Sequence, residues 1–148
     1  MIALSSINKL ELLPALFQEI HIVDTVITEC AVGGKIIVPD LTHCAWIHPV
    51  QSLKDKQKSF LMTLDKGEMD TLNMAFHHNA DLVIIDEKKG RNVAEYMGLK
   101  ITGTLGILLK AKQQGLIESF LTLTQSMQKQ GIHYNTKLVK RLALQVGE

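Results

Sequence analysis

Residues 79–92 of the chain read NADLVIIDEKKGRN, and this stretch decides the fold class. Four apolar residues run without interruption from Leu82 to Ile85, and the run stops at Asp86. An unbroken apolar run of this length is typical of a parallel strand that is covered on both faces. The stretch therefore predicts a central strand over Leu82–Asp86, with helices packed on both sides of it.

Helix-like and strand-like segments alternate on both sides of this strand. Apolar spacing predicts helices over Ile2–Phe17, Thr25–Ala31, Lys66–His78, Arg91–Met97, Leu105–Lys112, Leu116–Met127 and Leu138–Val146. Shorter strands are predicted over Glu19–Val23, Ala45–His48 and Leu99–Ile101, with Pro49 ending the second of them. The pattern predicts an α/β fold in which helices flank a mostly parallel central sheet.

Length and composition predict a soluble globular protein. The chain has 148 residues, 46% hydrophobic and 21% charged, which favours one domain over residues 1–148. A net charge of +1 means that any nucleic-acid-binding surface must be local. Cys30 and Cys44 form no close pair, which suits free thiols. No apolar stretch approaches the length of a membrane span, so a cytoplasmic location without membrane contact is expected.

Three carboxylates are candidates for a functional site. Asp86 ends the predicted strand, and the carboxyl ends of parallel strands are where crevices form. The same position equally suits a helix N-cap or a turn residue. Glu68 is also explained as a first-turn residue favoured by the helix dipole, and Glu29 as a solvated helix residue. Spacing alone does not show that the three carboxylates converge.

Five motifs occur in a joint order that is more specific than any one of them. They are L-D-x-G-E at 64–68, I-D-E at 85–87, Arg91 followed by Val93-Ala94, G-L-K-I-T-G-T-L-G at 98–106 and A-K-x-x-G-L-I at 111–117. In this order the chain resembles the PIN-domain superfamily, and more narrowly a prokaryotic VapC-toxin-like branch catalogued as a domain of unknown function. The resemblance covers nearly the whole chain and implies a PIN-like three-layer fold.

The resemblance implies a metal-dependent endoribonuclease of the toxin–antitoxin type. Glu29, Glu68 and Asp86 would be its catalytic and metal-binding acids, with Mg²⁺ or Mn²⁺ as the cofactor, because hard oxygen ligands suit these ions. The substrate would be RNA, and an antitoxin protein is a possible partner. RNA phosphates would be held by the side chains of Lys88, Lys89, Arg91 and Thr104. The alternative explanations are an exposed turn without a specific role for the three basic residues and a helix-capping role for Thr104.

The chain departs from the family pattern at its beginning. The family opens with a strand that carries an Asp followed by Ser or Thr, whereas Met1–Leu4 already lies in the first predicted helix. We therefore expect an N-terminally shortened domain with weak or no activity, which a restored Asp strand would turn into a ribonuclease. The absence of this strand would leave open sheet edges, and open edges favour a homo-oligomer. The alternative is a catalytically dead PIN-like fold that acts as a binding or oligomerisation module.

Overall fold

The computed structural model describes residues 1–53 and 64–148, and its architecture is α/β as predicted. The elements in chain order are α1 (Ile2–Ser5), α2 (Leu12–Leu16), β1 (Ile20–Val23), α3 (Asp24–Ala31), a short 3₁₀ helix (Leu41–His43), β2 (Ile47–Val50), α4 (Lys66–His77), β3 (Val83–Ile84), α5 (Lys88–Tyr96), β4 (Ile101–Thr102), α6 (Thr104–Gln113), α7 (Phe120–Lys129) and α8 (Thr136–Leu144). None of the helices in these two ranges is long and apolar enough to cross a membrane.

The chain groups into two compact units. The helical unit contains α1, α2, α6, α7 and α8, and comprises Met1–Gln18, Gly33–Pro39 and Thr104–Glu148. The strand unit contains every described strand together with α3, α4 and α5, and comprises Glu19–Val32 and Asp40–Gly103. A single domain over residues 1–148 stays a prediction.

The strand unit is built on two parallel ladders. β1 pairs with β2 in the register Ile20 to Ile47, and β3 pairs with β4 in the register Val83 to Ile101. The parallel direction confirms the expectation from the sequence. The ladders are smaller than the predicted central sheet. In the part of the chain that the structure describes, each ladder has two strands, and β3 pairs with β4 alone. Leu82–Asp86 is therefore not the centre of a wide sheet there.

One apolar core cluster of the strand unit forms where α4 and α5 pack on β3. Its buried members are Met69, Leu72, Ala75, Val83, Ile85 and Ala94. Side chains alternate across a strand, so Val83 and Ile85 point into this core while Ile84 is half-buried and Leu82 is 37% exposed. The expectation of a strand covered on both faces is thus wrong at Leu82.

Two further expectations fail for local backbone reasons. The single helix predicted over Ile2–Phe17 is two short helices, because Asn8 between them adopts a left-handed conformation with φ of 52°. Asparagine tolerates that conformation better than most residues. Pro49 lies inside β2 opposite Ile22 rather than ending the strand. A proline that lacks an N–H is acceptable at a ladder edge.

The helix boundaries shift by a few residues in α5 and α6. Helix α5 begins at Lys88 rather than Arg91, so its first turn contains both lysines of the opening stretch. Helix α6 begins at Thr104, which is therefore its first residue. The glycines at positions 98 and 115 follow these helices with φ of 75° and 72°, a left-handed conformation that is typical of residues just after a helix.

In the helical unit, the side chain of Glu148 caps the beginning of α7. Its Oε1 accepts a hydrogen bond from the backbone N–H of Phe120 at 2.8 Å, and its Oε2 accepts from that of Leu121 at 2.9 Å. The hydroxyl of Ser119 donates to Oε2 at 2.8 Å, and Lys112 Nζ lies 3.2 Å from Oε1. These donors, the Leu121 N–H foremost, lower the pKa of Glu148 to about 2.

A substitution pair on β3 tests the core. Val83→Asp places an unpaired carboxylate where the side chain is 4% exposed, so we expect loss of cooperative thermal unfolding. Leu82→Asp puts the same group one residue away, where the side chain is 37% exposed, and should lower the free energy of unfolding far less. Equal melting temperatures for the two variants, measured by circular dichroism, would contradict this packing.

Glu148→Gln should destabilise the protein in a pH-dependent way. A lowered folded-state pKa means that the stabilisation is present above the usual value of 4.5 and is lost as the pH falls towards about 2. We expect a loss on the order of 1 kcal/mol at pH 7, as for other helix caps, and almost none near pH 2. Urea unfolding at both pH values measures it. Glu118→Gln, at an exposed position, is the control and should have little effect at either pH.

Candidate functional site

Glu29 reaches from α3 to the first turn of α4. Its Oε1 accepts a hydrogen bond from the backbone N–H of Gly67 at 3.1 Å. A β-carbon at position 67 would lie 2.5 Å from Oε2 of Glu29, closer than side chains can approach. Glycine at this position is therefore what allows the carboxylate to lie against the backbone of α4.

Glu68 follows directly in the same turn and is half-buried. Its backbone N–H donates to Oδ1 of Asp65, the N-cap of α4, at 2.8 Å. A β-carbon at position 90, in α5, would lie 3.0 Å from Oε1 of Glu68. The carboxylate of Glu68 thus lies beside the first turns of α5, again at a point where the neighbouring residue is glycine.

Asp86 follows the end of β3 and is exposed. A β-carbon at position 103 would lie 2.7 Å from Oδ1 of Asp86 and 3.0 Å from Nη1 of Arg91. The same Nη1 donates a hydrogen bond to the carbonyl of Ile85 at 3.1 Å. Arg91 therefore holds the end of β3 in place, and Gly103 leaves room for both charged groups.

Each predicted site carboxylate thus lies against a glycine backbone. The pairs are Glu29 with Gly67, Glu68 with Gly90, and Asp86 with Gly103. All three glycines are buried, and none of them has a positive φ, so space rather than backbone conformation requires the missing side chain. At Gly67 and Gly103, which lie in two of the quoted motifs, the carboxylate is the nearest group, whereas a β-carbon at Gly90 would meet Cδ1 of Ile85 before Oε1 of Glu68.

The electrostatics of this region centre on Glu68. Partial burial raises the pKa of Glu68, and the negative charges of Asp65, Glu87 and Glu29 raise it further. The hydrogen bond between the Glu68 N–H and Asp65 opposes the shift without cancelling it. An ionised Glu68 is therefore held among like charges, a situation typical of sites that bind a cation or move a proton.

Asp65 and Glu87 belong to this cluster although the sequence reasoning did not select them. Both lie within the motifs that were quoted, Asp65 in L-D-x-G-E and Glu87 in I-D-E. The resemblance implied only one acid of each motif, Glu68 and Asp86, as a site residue. Asp70 in α4 is different, because its side chain is 3% exposed and lies two residues from Glu68, on the opposite side of the helix.

The donor set suits a hard divalent cation, because it consists of carboxylate oxygens. The structure brings Glu29 and Glu68 together, and it places Asp86 beside Gly103 and Arg91. Among residues 1–53 and 64–148, no three Asp, Glu, His or Cys side chains are positioned to hold a metal ion jointly. A metal site with Glu29, Glu68 and Asp86 as its ligands therefore stays a prediction.

The predicted substrate-binding residues have different environments. Lys88 and Lys89 are exposed in the first turn of α5, where the helix dipole disfavours positive side chains. Arg91 is half-buried and uses one N–H on Ile85. Thr104 is only 2% exposed and belongs to the helical unit. Its contact with substrate stays a prediction, as do those of the three basic residues.

Comparison with known proteins supplies the family. A PIN-domain family model (DUF3368) matches residues 1–148 of the chain. The curated proteins contain no match, and neither do the solved structures.

The charge cluster around Glu68 can be tested by titration. Glu87→Gln removes one of the negative charges that raise the pKa of Glu68, so that pKa should fall towards its usual value. Glu95→Gln removes an exposed charge from the same helix and should leave it unchanged. Side-chain carboxyl shifts of Glu68, followed by NMR from acid to neutral pH, measure the pKa directly. The same pKa in the wild type and in Glu87→Gln would contradict the proposed proximity.

Proposed function

The chain belongs to the PIN-domain family, and on that premise we propose that it is a nuclease-like protein that hydrolyses RNA with the aid of a divalent cation. The observation that carries the proposal is the pairing of Glu29, Glu68 and Asp86 with three glycines that make room for their carboxylates. An Asp or Glu side chain at an ordinary exposed position does not require a glycine beside it. Three such pairs in one unit support a site whose carboxylates must approach a common ligand.

In this proposal Glu29, Glu68 and Asp86 hold Mg²⁺ or Mn²⁺. When bound, the cation activates water and neutralises charge on a phosphodiester. The raised pKa of Glu68 supports a cation-binding role, because a divalent charge would relieve the repulsion from Asp65, Glu87 and Glu29. The hydrogen bond from the Gly67 N–H orients Glu29 and leaves its other oxygen available as a ligand.

Lys88, Lys89 and Arg91 are proposed to position the RNA backbone. The first two are exposed at the beginning of α5, a helix of nine residues whose N-terminal N–H groups favour an anion. A phosphate bound there would offset the unfavourable placement of two lysines near the positive end of the helix dipole. Such contacts orient a nucleic acid without reading its sequence.

We propose weak catalysis rather than efficient turnover. Mg²⁺ demands nearly ideal octahedral geometry and gives up its water reluctantly, whereas Glu29, Glu68 and Asp86 are not positioned to hold a metal ion jointly within residues 1–53 and 64–148. The likeness to VapC-type sequences supports a toxin-type endoribonuclease with an antitoxin protein as partner. The open edges of the two-stranded ladders, in the described part of the chain, support a homo-oligomer.

Cleavage of single-stranded and structured RNA with Mg²⁺ and with Mn²⁺ tests the function. We expect slow cleavage that requires the metal and that falls by about a hundredfold in Asp86→Asn and in Glu68→Gln. Asp81→Asn, an exposed acid just before β3, is the matched control and should cleave like the wild type. Mn²⁺ binding followed by electron paramagnetic resonance should weaken in the two site variants only.

Two outcomes would contradict the proposal. Metal-dependent cleavage that survives both site substitutions would place the chemistry elsewhere. An absence of cleavage, together with identical Mn²⁺ binding in wild type and Asp86→Asn, would favour the alternative of a catalytically dead module that binds or oligomerises.

A further inference from the structure

Charge is divided unequally between the two units. The helical unit carries eight Lys and Arg residues against three Asp and Glu residues, whereas the strand unit carries eight against twelve. The net charges are therefore +5 and −4, which together give the +1 of the whole chain. The near-neutral total is the sum of one basic and one acidic composition, so the net charge of the chain is a poor guide to the partners of either unit.

The excess positive charge of the helical unit is concentrated near its end. Residues 119–147 contain Lys129, Lys137, Lys140 and Arg141 but no Asp or Glu. The next acid, Glu148, is occupied by donors from α7 and by Lys112. Exposed neutral donors accompany the basic residues, namely Gln125, Gln128, Gln130, Asn135, Thr136 and Gln145. Lysine, arginine, amide and hydroxyl groups are the side-chain donors that contact nucleic-acid backbones.

Helix α8 arranges three of these charges on one surface, here named the basic face: Lys137, Lys140 and Arg141. Their spacing of three and four residues places them side by side along about one turn of helix. All three are exposed, and within the two described ranges none forms an ion pair. The buried side of α8 is marked instead by Ala143. The face is thus directed to solvent without neutralising partners.

Helix stability does not account for this face. Arg141 in the last turn is favoured by the helix dipole, but Lys137 in the first turn is disfavoured by it.

A shallow recess of about 260 Å³ adjoins the face, lined mainly by apolar atoms of Leu121, Ala143 and Leu144 together with Lys140 and Glu148. Pairing two copies of α8 across this surface would bring like charges together, which disfavours self-association there.

We propose that the basic face binds the phosphate backbone of single-stranded RNA. The ligand class rests on the proposed function, but the surface rests on its own observations. Those observations are three exposed cations on one helix face, none with an ion-pair partner among residues 1–53 and 64–148, in a stretch of 29 residues without an acid. The basic face lies in the helical unit and the carboxylates lie in the strand unit, so each can be altered without changing the other.

The experiment measures RNA binding separately from cleavage. Fluorescence anisotropy of a labelled single-stranded RNA is recorded in EDTA over a range of KCl concentrations. Replacing Lys137, Lys140 and Arg141 by Gln should weaken binding by at least about tenfold. The slope of log K against log salt should become shallower by about 2, since each phosphate contact to a single strand contributes roughly 0.7.

The matched control removes the same charge from other places. Replacing Lys9, Lys100 and Lys110 by Gln gives an identical net charge and should change the affinity by less than about twofold. Exchanging Lys137 and Lys140 for Arg, and Arg141 for Lys, should preserve binding, because the positive charges remain. Binding is recorded in EDTA, where metal-dependent cleavage does not occur, so a failure of the nuclease proposal is recognised separately.

Four results would overturn the assignment. They are no RNA binding by the wild type, unchanged affinity in the basic-face variant, an equal loss in the control variant, and equally tight binding of poly-glutamate or anionic vesicles at the same salt concentration. The third would mean that net charge alone attracts RNA, and the fourth would identify a general anion-binding surface.

Discussion

The close approach of carboxylates to glycine backbone is the constraint on which the candidate site depends. Glu29 can accept the N–H of Gly67 only because no β-carbon occupies the space beside it, and the same limit applies to Asp86 at Gly103. At Gly90 a β-carbon would meet the Ile85 side chain first and the Glu68 carboxylate second. A methyl group at any of these glycines would force an acid or a core side chain to move. Substitution to alanine, ordinarily mild inside a helix, is therefore unfavourable at positions 67 and 90.

This crowding has an electrostatic consequence. Glu68 lies near Asp65, Glu87 and Glu29, and partial burial removes some of the water that would screen them. The raised pKa of Glu68 means that its ionised form costs folding free energy at neutral pH, a cost that disappears as the carboxyl group becomes protonated. Glu148 behaves in the opposite sense, because N–H donors at the start of α7 favour its charge and stabilise the folded state above pH 4.5. At neutral pH the ionised carboxylate of Glu68 therefore destabilises the folded state, whereas that of Glu148 stabilises it.

The two units also differ in the use of their charges. In the strand unit, Asp86 and Glu87 directly precede the two lysines of the first turn of α5 in the sequence, after the end of β3. In the helical unit, basic residues lie along α8 without acids to pair them. The total charge is near zero because the net charges of the two units have opposite signs. The binding partners of each unit are therefore considered from its own charge.

The sequence by itself determined the α/β class, the parallel direction of the ladders, and the approximate positions of α4, α7 and α8. These features follow from local periodicity and turn chemistry, which neighbouring residues specify. Only the tertiary structure decided that Leu82 is exposed, that Pro49 lies within β2, and that Asp65 and Glu87 add their charges to Glu68. Periodicity shows which face of an element is apolar but does not show which segment covers it. The exposure of a side chain, and the charges that surround it, depend on which segment packs against it. The tertiary structure therefore decides both.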